Sequence, residues 1–394
     1  MMKMNTRNLG ILALLAVLVI GVVLISGCIE GLQEEEVTCN KPYIKVGNDC
    51  CLDMNDNGIC DKDEEEEMPD ETDKSKVIDP SLVPFDEPKP GLIVAGCTEK
   101  RITTNNAKQQ YPAIYGDKIV WLDFRNGKWD IYMYNLKTNT EKRITTTTSG
   151  SVSNIPAING DKIVWEGRMS NKPRQIYMYD LSANTGTQIS NPNAEFRTPA
   201  IYGNKVVYGY YARWSDGSAW NIVAYDIATD AARVISKDVN NNQIEPAIYE
   251  SKVVWLKNND LYLYDLSLLK RITTSGSISN RPAIYGDKIV WESIDIEGTH
   301  GNWEIYMYDI LKGSTYKITT NSAKQQSPAI YGDKIVWQDN RNGNWDIYQY
   351  DITTNTEKRI TTNSADQKNP AIYGDKIVWM DNRSGNWDIY MYSC

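Results

Sequence analysis

Apolar and polar positions alternate along residues 99–394 in short runs, and the runs repeat. In the stretch 328–361 the order is PAIY, GD, KIVWQD, NRNGN, WDIYQYD, ITTNT and EKRIT. The apolar runs are too short for a good helix and are rich in Val, Ile, Thr, Tyr and Trp, which favour strands. Gly-Asp between the first two runs is a two-residue hairpin signal. The Asn/Gly-rich and Thr/Asn-rich segments supply the other two turns. Each unit is therefore expected to fold as four short antiparallel strands.

The unit begins again at Pro112, Pro156, Pro199, Pro246, Pro282, Pro328 and Pro370, at spacings between 36 and 47 residues. A period in that range marks a propeller or a solenoid, and four-stranded units repeated around an axis predict an all-β, seven-bladed β-propeller. The seventh unit reaches its third strand, WDIYMY, and then Cys394, while a stray EKRITT stands at 99–104 before the first unit. That N-terminal strand is expected to complete the last blade and close the ring, which removes open edges that a linear stack would keep.

The unit resembles the TolB-type, WD40-like propeller repeat. Pro328, the Gly332-Asp333 turn, the Asp339-x-Arg341-x-Gly343 turn and the Ile347-Tyr348 pair carry the resemblance, which extends over residues 99–394. It implies the fold. It departs from TolB in blade number, seven against six, and in lacking TolB's separate N-terminal domain, so the Tol function is not implied.

Residues 1–96 are unlike the repeat. They hold 8 Lys+Arg against 19 Asp+Glu, so the net charge of −9 resides in this part and the repeat region is close to neutral. Nucleic acid is not an expected partner, because that needs a clustered basic face. Residues 1–28 read as a targeting segment: Lys3 and Arg7, then an apolar run over 9–26, then Ile25-Ser26-Gly27-Cys28, which resembles a lipobox with Cys28 as the lipidated residue. A membrane-spanning anchor is the alternative, since such a run nearly spans a bilayer. Either places the repeat region outside the cytoplasm, at the cell surface and tied to the membrane.

Residues 29–64 are a Cys-rich segment. Cys39, Cys50, Cys51 and Cys60 fall in it, with no pairing fixed by spacing. Inside lies DMNDNGICDKDE, residues 53–64, which matches the calcium-loop pattern. Asp53, Asn55, Asn57, Asp61 and Glu64 would give side-chain or water-mediated oxygens, Ile59 its carbonyl, and Gly58 the sharp turn. Residues 65–96, acidic and then Pro-rich, read as an extended linker. The remaining pair, Cys97 and Cys394, is expected to form a disulfide. Superposing repeats puts Cys394 at the place of Leu136 and Cys97 at that of Asn139, across one hairpin turn, where Cα atoms lie within about 7 Å.

The repeated aromatics are read first as packing. Trp121, Trp165, Trp255, Trp291, Trp337 and Trp379 share one position, filled by Tyr208 in blade three. Trp129, Trp220, Trp303, Trp345 and Trp387 share another. Candidate ligand residues are those the repeat leaves over, on the face where the turns between second and third strands join the links between blades. Blade three inserts 209–219, with Tyr210, Tyr211, Arg213 and Trp214. Blade five inserts Asp295, Glu297 and His300, the single His. Arg174 replaces a repeat Trp beside Arg168 and Lys172, and Phe196 and Arg197 follow in the next link. Long loops on a rigid scaffold collect binding residues. Three functions compete: a monomeric surface module binding protein or glycan, a glycosidase or lyase using Asp216, Asp295 or Glu297, and a structural envelope component. No G-x-S-x-G elbow accompanies His300.

Overall fold

The computed structural model describes residues 96–145, 151–152, 154–169, 171–213, 217–238, 241–265, 268–273, 278–294 and 302–394, together with the backbone of 43–46, 49–52 and 89–90. The chain divides into two units, Met1–Ile78 and Asp79–Cys394. In the first, Tyr43–Val46 pairs antiparallel with Asp49–Leu52. The targeting segment with Cys28, the calcium loop, Cys39 and Cys60 lie outside the described residues.

The second unit is a ring of seven antiparallel sheets. Blade one runs Gln109–Tyr115, Lys118–Asp123, Asp130–Asn135 and Thr140–Arg143 from the axis outward. Later blades repeat that order, with inner strands starting at Ala157, Glu195, Gln243, Ile278, Gln325 and Gln367. The core is divided among the gaps between blades. Seven apolar clusters each join two neighbouring blades, and one packs Ile119 and Trp121 of blade one against Val378, Met380 and Ile389 of blade seven. That last cluster makes the ring continuous. The second-strand tryptophans and Tyr208 are at most 3% exposed; rings of this size bury about 150–250 Å² each.

Closure follows the rules of an ordinary blade. Thr98–Arg101 pairs with Asp388–Ser393 as the outer strand of blade seven. Arg101 donates to Asp388 at 2.8 Å, and Thr103 Oγ1 accepts from the Ile389 amide at 2.8 Å. In blade one Arg143 and Thr145 do the same for Asp130 and Ile131, at 2.7 and 3.0 Å. Cys97 and Cys394 are joined by a disulfide, with Cα atoms 4.0 Å apart. Lys89 and Pro90 add a short parallel strand to the outer edge of blade six, opposite Thr356 and Glu357.

The two faces of the ring differ. On one, the turns between second and third strands bond to the links between blades: the Phe124 amide donates to Lys108 O, Asn340 to Lys324 O and Asn382 to Asp366 O, at 3.0–3.2 Å. At the opposite end of the inner strands, Tyr202, Tyr249, Tyr285, Tyr331, Tyr373 and Tyr115 stand in a row around the axis, with neighbouring centroids 4.6–4.8 Å apart. Asn159 holds this place in blade two. Burial, then the neighbouring tyrosines, pushes the Tyr373 hydroxyl up to about 12.

Candidate functional site

The insertion in blade three is mostly strand. Lys205–Arg213 and Ser218–Asp226 form an elongated hairpin in the register Tyr210↔Asn221, Tyr211↔Trp220, Ala212↔Ala219 and Arg213↔Ser218. The expected loop over 209–219 is thus corrected: 209–213 and 218–219 belong to strands. The cause is visible in the alternation. Ala212 and Ala219 face inward at 3% and 1% exposure, which leaves Tyr211 and Trp220 as a cross-strand aromatic pair on the other side.

From this hairpin a chain of contacts runs back into blade two. The Arg213 guanidinium lies 5.7 Å from the Tyr211 ring, and Tyr211 lies 5.3 Å from Trp220. Arg197 sits over Trp220 at 4.7 Å. Arg197 and Arg174 both donate to Glu195 at 2.9 Å, and Arg174 Nε pairs with Glu166 at 3.0 Å. Burial alone would raise the Glu195 carboxyl, but hydrogen bonds from Arg197 and Arg174 outweigh it and hold the group below its ordinary range. Arg213 is exposed and the Arg197 side chain is 42% exposed. Flat aromatic surface alternating with forked donors is suited to stacking and to polar recognition.

Arg174, Tyr211 and Arg213 are therefore brought together. Trp220, Glu195 and Glu166 belong to the same chain of contacts and were not among the sequence candidates. Trp220 had been grouped with packing residues, yet it and its counterparts Trp129, Trp303, Trp345 and Trp387 are only half-buried. Phe196 is a correction in the other direction. It is 5% exposed, pairs in register with Tyr210, and packs on Tyr208 and Tyr210 at 5.5 and 5.3 Å. It is core, and Tyr210 is half-buried against it. Trp214, His300 and the acids Asp216, Asp295 and Glu297 lie outside the described residues.

A second set of polar groups occurs at one repeat position, the residue after the second-strand aromatic. Glu166 accepts from the Thr198 amide at 3.2 Å, Glu292 from Ser327 at 2.5 Å, and Gln338 from Asn369 at 2.9 Å, in each case across to the next blade. Burial pushes the Glu166 and Glu292 carboxyls up, and the hydrogen bonds and nearby arginines offset this only in part. Among the described residues no group of three or more His, Cys, Asp or Glu is arranged to hold a metal ion.

No family model matches the chain, and no curated protein matches it. Solved structures do. An oligogalacturonate lyase from Vibrio parahaemolyticus superposes with a TM-score of 0.58 at 13% identity, over 77% of this chain and 98% of that one. The β-propeller domain of the Trilobed protease from Pyrococcus furiosus gives 0.59 at 14%, over 73% and 93%. TolB from Acinetobacter baumannii gives 0.46 at 16%, over 66% and 67%. For the lyase and the protease domain, at these identities, the likeness is one of fold. The Pyrococcus furiosus domain is described as an open velcro, whereas here Thr98–Arg101 and the Cys97–Cys394 bond close the ring. The fold is compatible with binding and with enzymatic roles.

Proposed function

We propose that the chain is a binding module displayed on the outer face of a cell membrane. In this reading Cys28 carries lipid or the run 9–26 spans the membrane, residues 29–96 form the stalk, and calcium stiffens the loop 53–64. The propeller then presents its turn-and-link face to a surface protein or glycan. The observation that supports binding is the continuous run Arg213, Tyr211 and Trp220 on an elongated hairpin, extended by Arg197 on the adjoining inner strand. Arg213, Tyr211 and Arg197 stand outside the repeated packing, and Trp220, though at a repeat position, is only half-buried. Half-exposed aromatic and arginine side chains on a rigid scaffold are the usual anchors of recognition.

A glycosidase or lyase reading has one observation in its favour, the two buried carboxyls Glu166 and Glu292 held above their ordinary range. Each, however, caps a backbone amide of the next blade, which is a structural task. The test is a glycan array and a pull-down with the chain from Cys28 onward, run beside the Trp220→Ala variant. Binding that Trp220→Ala removes supports the module. Turnover of a polysaccharide, lost in Glu166→Gln or Glu292→Gln, would replace it with the enzyme.

A further inference from the structure

The residue before the repeated proline carries a contradiction. In six blades it has a left-handed backbone: Tyr111 (φ 55°), Thr198 (50°), Glu245 (54°), Arg281 (49°), Ser327 (56°) and Asn369 (50°). In these blades the inner strand shifts register there, so the conformation belongs to the fold. It suits Gly or Asn and disfavours Thr, Tyr, Glu and Arg, and a following proline disfavours it further. Yet only Asn369 is a residue of the favoured kind. The Pro-Ala-Ile that follows is invariant from blade to blade, while this position is different in every blade. Backbone fit does not select these side chains, and strained positions of this kind gather at functional sites.

Their contacts show where they point. Arg281 Nη1 donates to Ser327 Oγ of the next blade at 2.6 Å and to Asn369 Oδ1 of the blade beyond at 3.0 Å. A side chain that passes one blade to reach the next must run along the inner edges, that is, in the axial channel. Ser327 Oγ also donates to Asn369 Oδ1, at 3.4 Å. The Glu245 carboxylate accepts from the Arg281 amide at 2.9 Å, and Glu292 stands 4.0 Å from Arg281 Nε. The Arg281 side chain is nevertheless 44% exposed. On the other arc of the same ring the position is held by Tyr111 and by Ile155, which is 40% exposed. This position is thus polar on one arc, where Arg281 is the cation beside Glu245 and Glu292, and apolar on the other at Tyr111 and Ile155.

We infer that this channel binds a small organic carboxylate, gripped by Arg281 with Ser327 and Asn369 and lodged by its apolar part against Tyr111 and Ile155. The planar guanidinium fork matches a carboxylate in two parallel hydrogen bonds. The Asn369 side-chain amide, which spends one N–H on Met380 Sδ at 3.3 Å, has a second to offer, and the Ser327 hydroxyl can turn from Asn369 Oδ1 toward the ligand. The Glu245 carboxylate beside Arg281 repels a doubly charged phosphate more than a single carboxylate. The site is separate from the Arg213–Trp220 surface of blade three and does not depend on it.

N-acetyl-leucine and N-acetyl-leucinamide are suitable probes, because they differ only in the charged end. Titrated into the full chain by calorimetry and ligand-observed NMR, the acid should bind at least tenfold more tightly than the amide. Arg281→Gln should bring the acid down to the level of the amide, Asn369→Asp should do likewise by adding charge, and Ile155→Ser should weaken both probes. Arg213→Ala should change neither. Equal binding of acid and amide, no binding of either, or an unchanged acid affinity in both Arg281→Gln and Asn369→Asp would overturn the assignment.

Discussion

Blades six, seven and one differ from blades two to five in the partner they give the aromatic residue of the second strand. In the first group the tryptophan indole of the second strand donates to an aspartate two residues on: Trp337 to Asp339, Trp379 to Asp381 and Trp121 to Asp123, at 3.1–3.2 Å. Each aspartate is fully buried and is held by the arginine of its turn, Arg341, Arg383 or Arg125, which reaches on to Glu357, Glu99 or Glu141 of the outer strand. The same arginines lie over Tyr348, Tyr390 and Tyr132 at 4.0–4.3 Å. In blades two and four the aspartate is replaced by Gly167 and Lys257. There the indole N–H groups of Trp165 and Trp255 are buried with no partner among the described residues. An orphaned buried donor costs about 1–3 kcal/mol. Blades two and four thus forgo one indole hydrogen bond each, and the Arg–Tyr–Trp surface on blade three and the Glu245–Arg281 pair of blades four and five lie on the same irregular part of the ring. Regular blades hold the ring, and the irregular ones vary on it.

The sharpest break of this division is at the seam between blades seven and one. The Cys97–Cys394 bond closes a loop of nearly the whole ring, which the chain-entropy model values at roughly 5–6 kcal/mol. Reducing it, or Cys97→Ala with Cys394→Ala, should lower the Tm of the head more than any substitution in blades two to five. A Tm unmoved by reduction, with the pair shown oxidised by mass spectrometry beforehand, would mean that strand Thr98–Arg101 alone holds the seam.

Next in size is one substitution made in both regions. Trp337→Phe strands the buried Asp339 without its indole donor, while Trp165→Phe removes an N–H that has no partner. Both lose similar apolar area. The blade-six variant should therefore be less stable than the blade-two variant by about 1–2 kcal/mol in denaturant midpoints. Equal losses would show that the aspartate bond contributes nothing, and the contrast between the two groups of blades would reduce to sequence drift.

How much of this was legible before the structure depends on which residue is asked about. The period of the proline-led unit, its two-residue turn and the stray EKRITT were enough for seven blades, the closing strand and the disulfide, because each is a local rule that recurs, with Gly203-Asn204 and Glu250-Ser251 as the only variants of the turn. Burial within an element was harder. Trp220 shares a repeat position with four other tryptophans, but that position is the start of the third strand, at the rim, and sharing a position does not make it core. Phe196 looked like part of a link, yet strand pairing with Tyr210 turns it inward. The channel residues did leave a signal, a variable position fixed between repeated ones. It went unread because only the bulge, seen in three dimensions, gives that position its left-handed backbone.

A smaller effect separates blade five from blade six. Gln338 caps the Asn369 amide without charge, and Glu292 caps Ser327 as a carboxyl held by burial above its ordinary value of 4.5. The folded chain therefore keeps a proton on Glu292 that the unfolded chain has lost. The stability tied to that proton is complete below about pH 4.5 and is lost as pH rises through the folded-state pKa. Glu292→Gln gives blade five the chemistry of blade six. Its Tm relative to the parent should be higher at pH 7 than at pH 4.5. A difference that stays constant between the two would mean that Glu292 does not titrate in this window.

The smallest expected change in stability is at the surface proposed for binding. Arg213 is exposed, and its side chain meets Tyr211 by a cation–π contact at 5.7 Å, worth about 0.5–1 kcal/mol at an exposed site. Arg383 has the same side chain but lies in a regular blade, paired with the buried Asp381. Arg213→Ala should leave Tm almost unchanged, and Arg383→Ala should lower it, because a buried carboxylate is left unpaired. Trp220→Ala falls between them, since the ring is half-buried under Arg197. For a partner found by array or pull-down the order should reverse: Arg213→Ala and Trp220→Ala each weaken binding by at least about 1–2 kcal/mol, and Arg383→Ala does not once its fold is verified. If Arg213→Ala destabilises the head as much as Arg383→Ala does, the hairpin of blade three belongs to the scaffold, and the division between holding and varying blades fails where it was meant to matter.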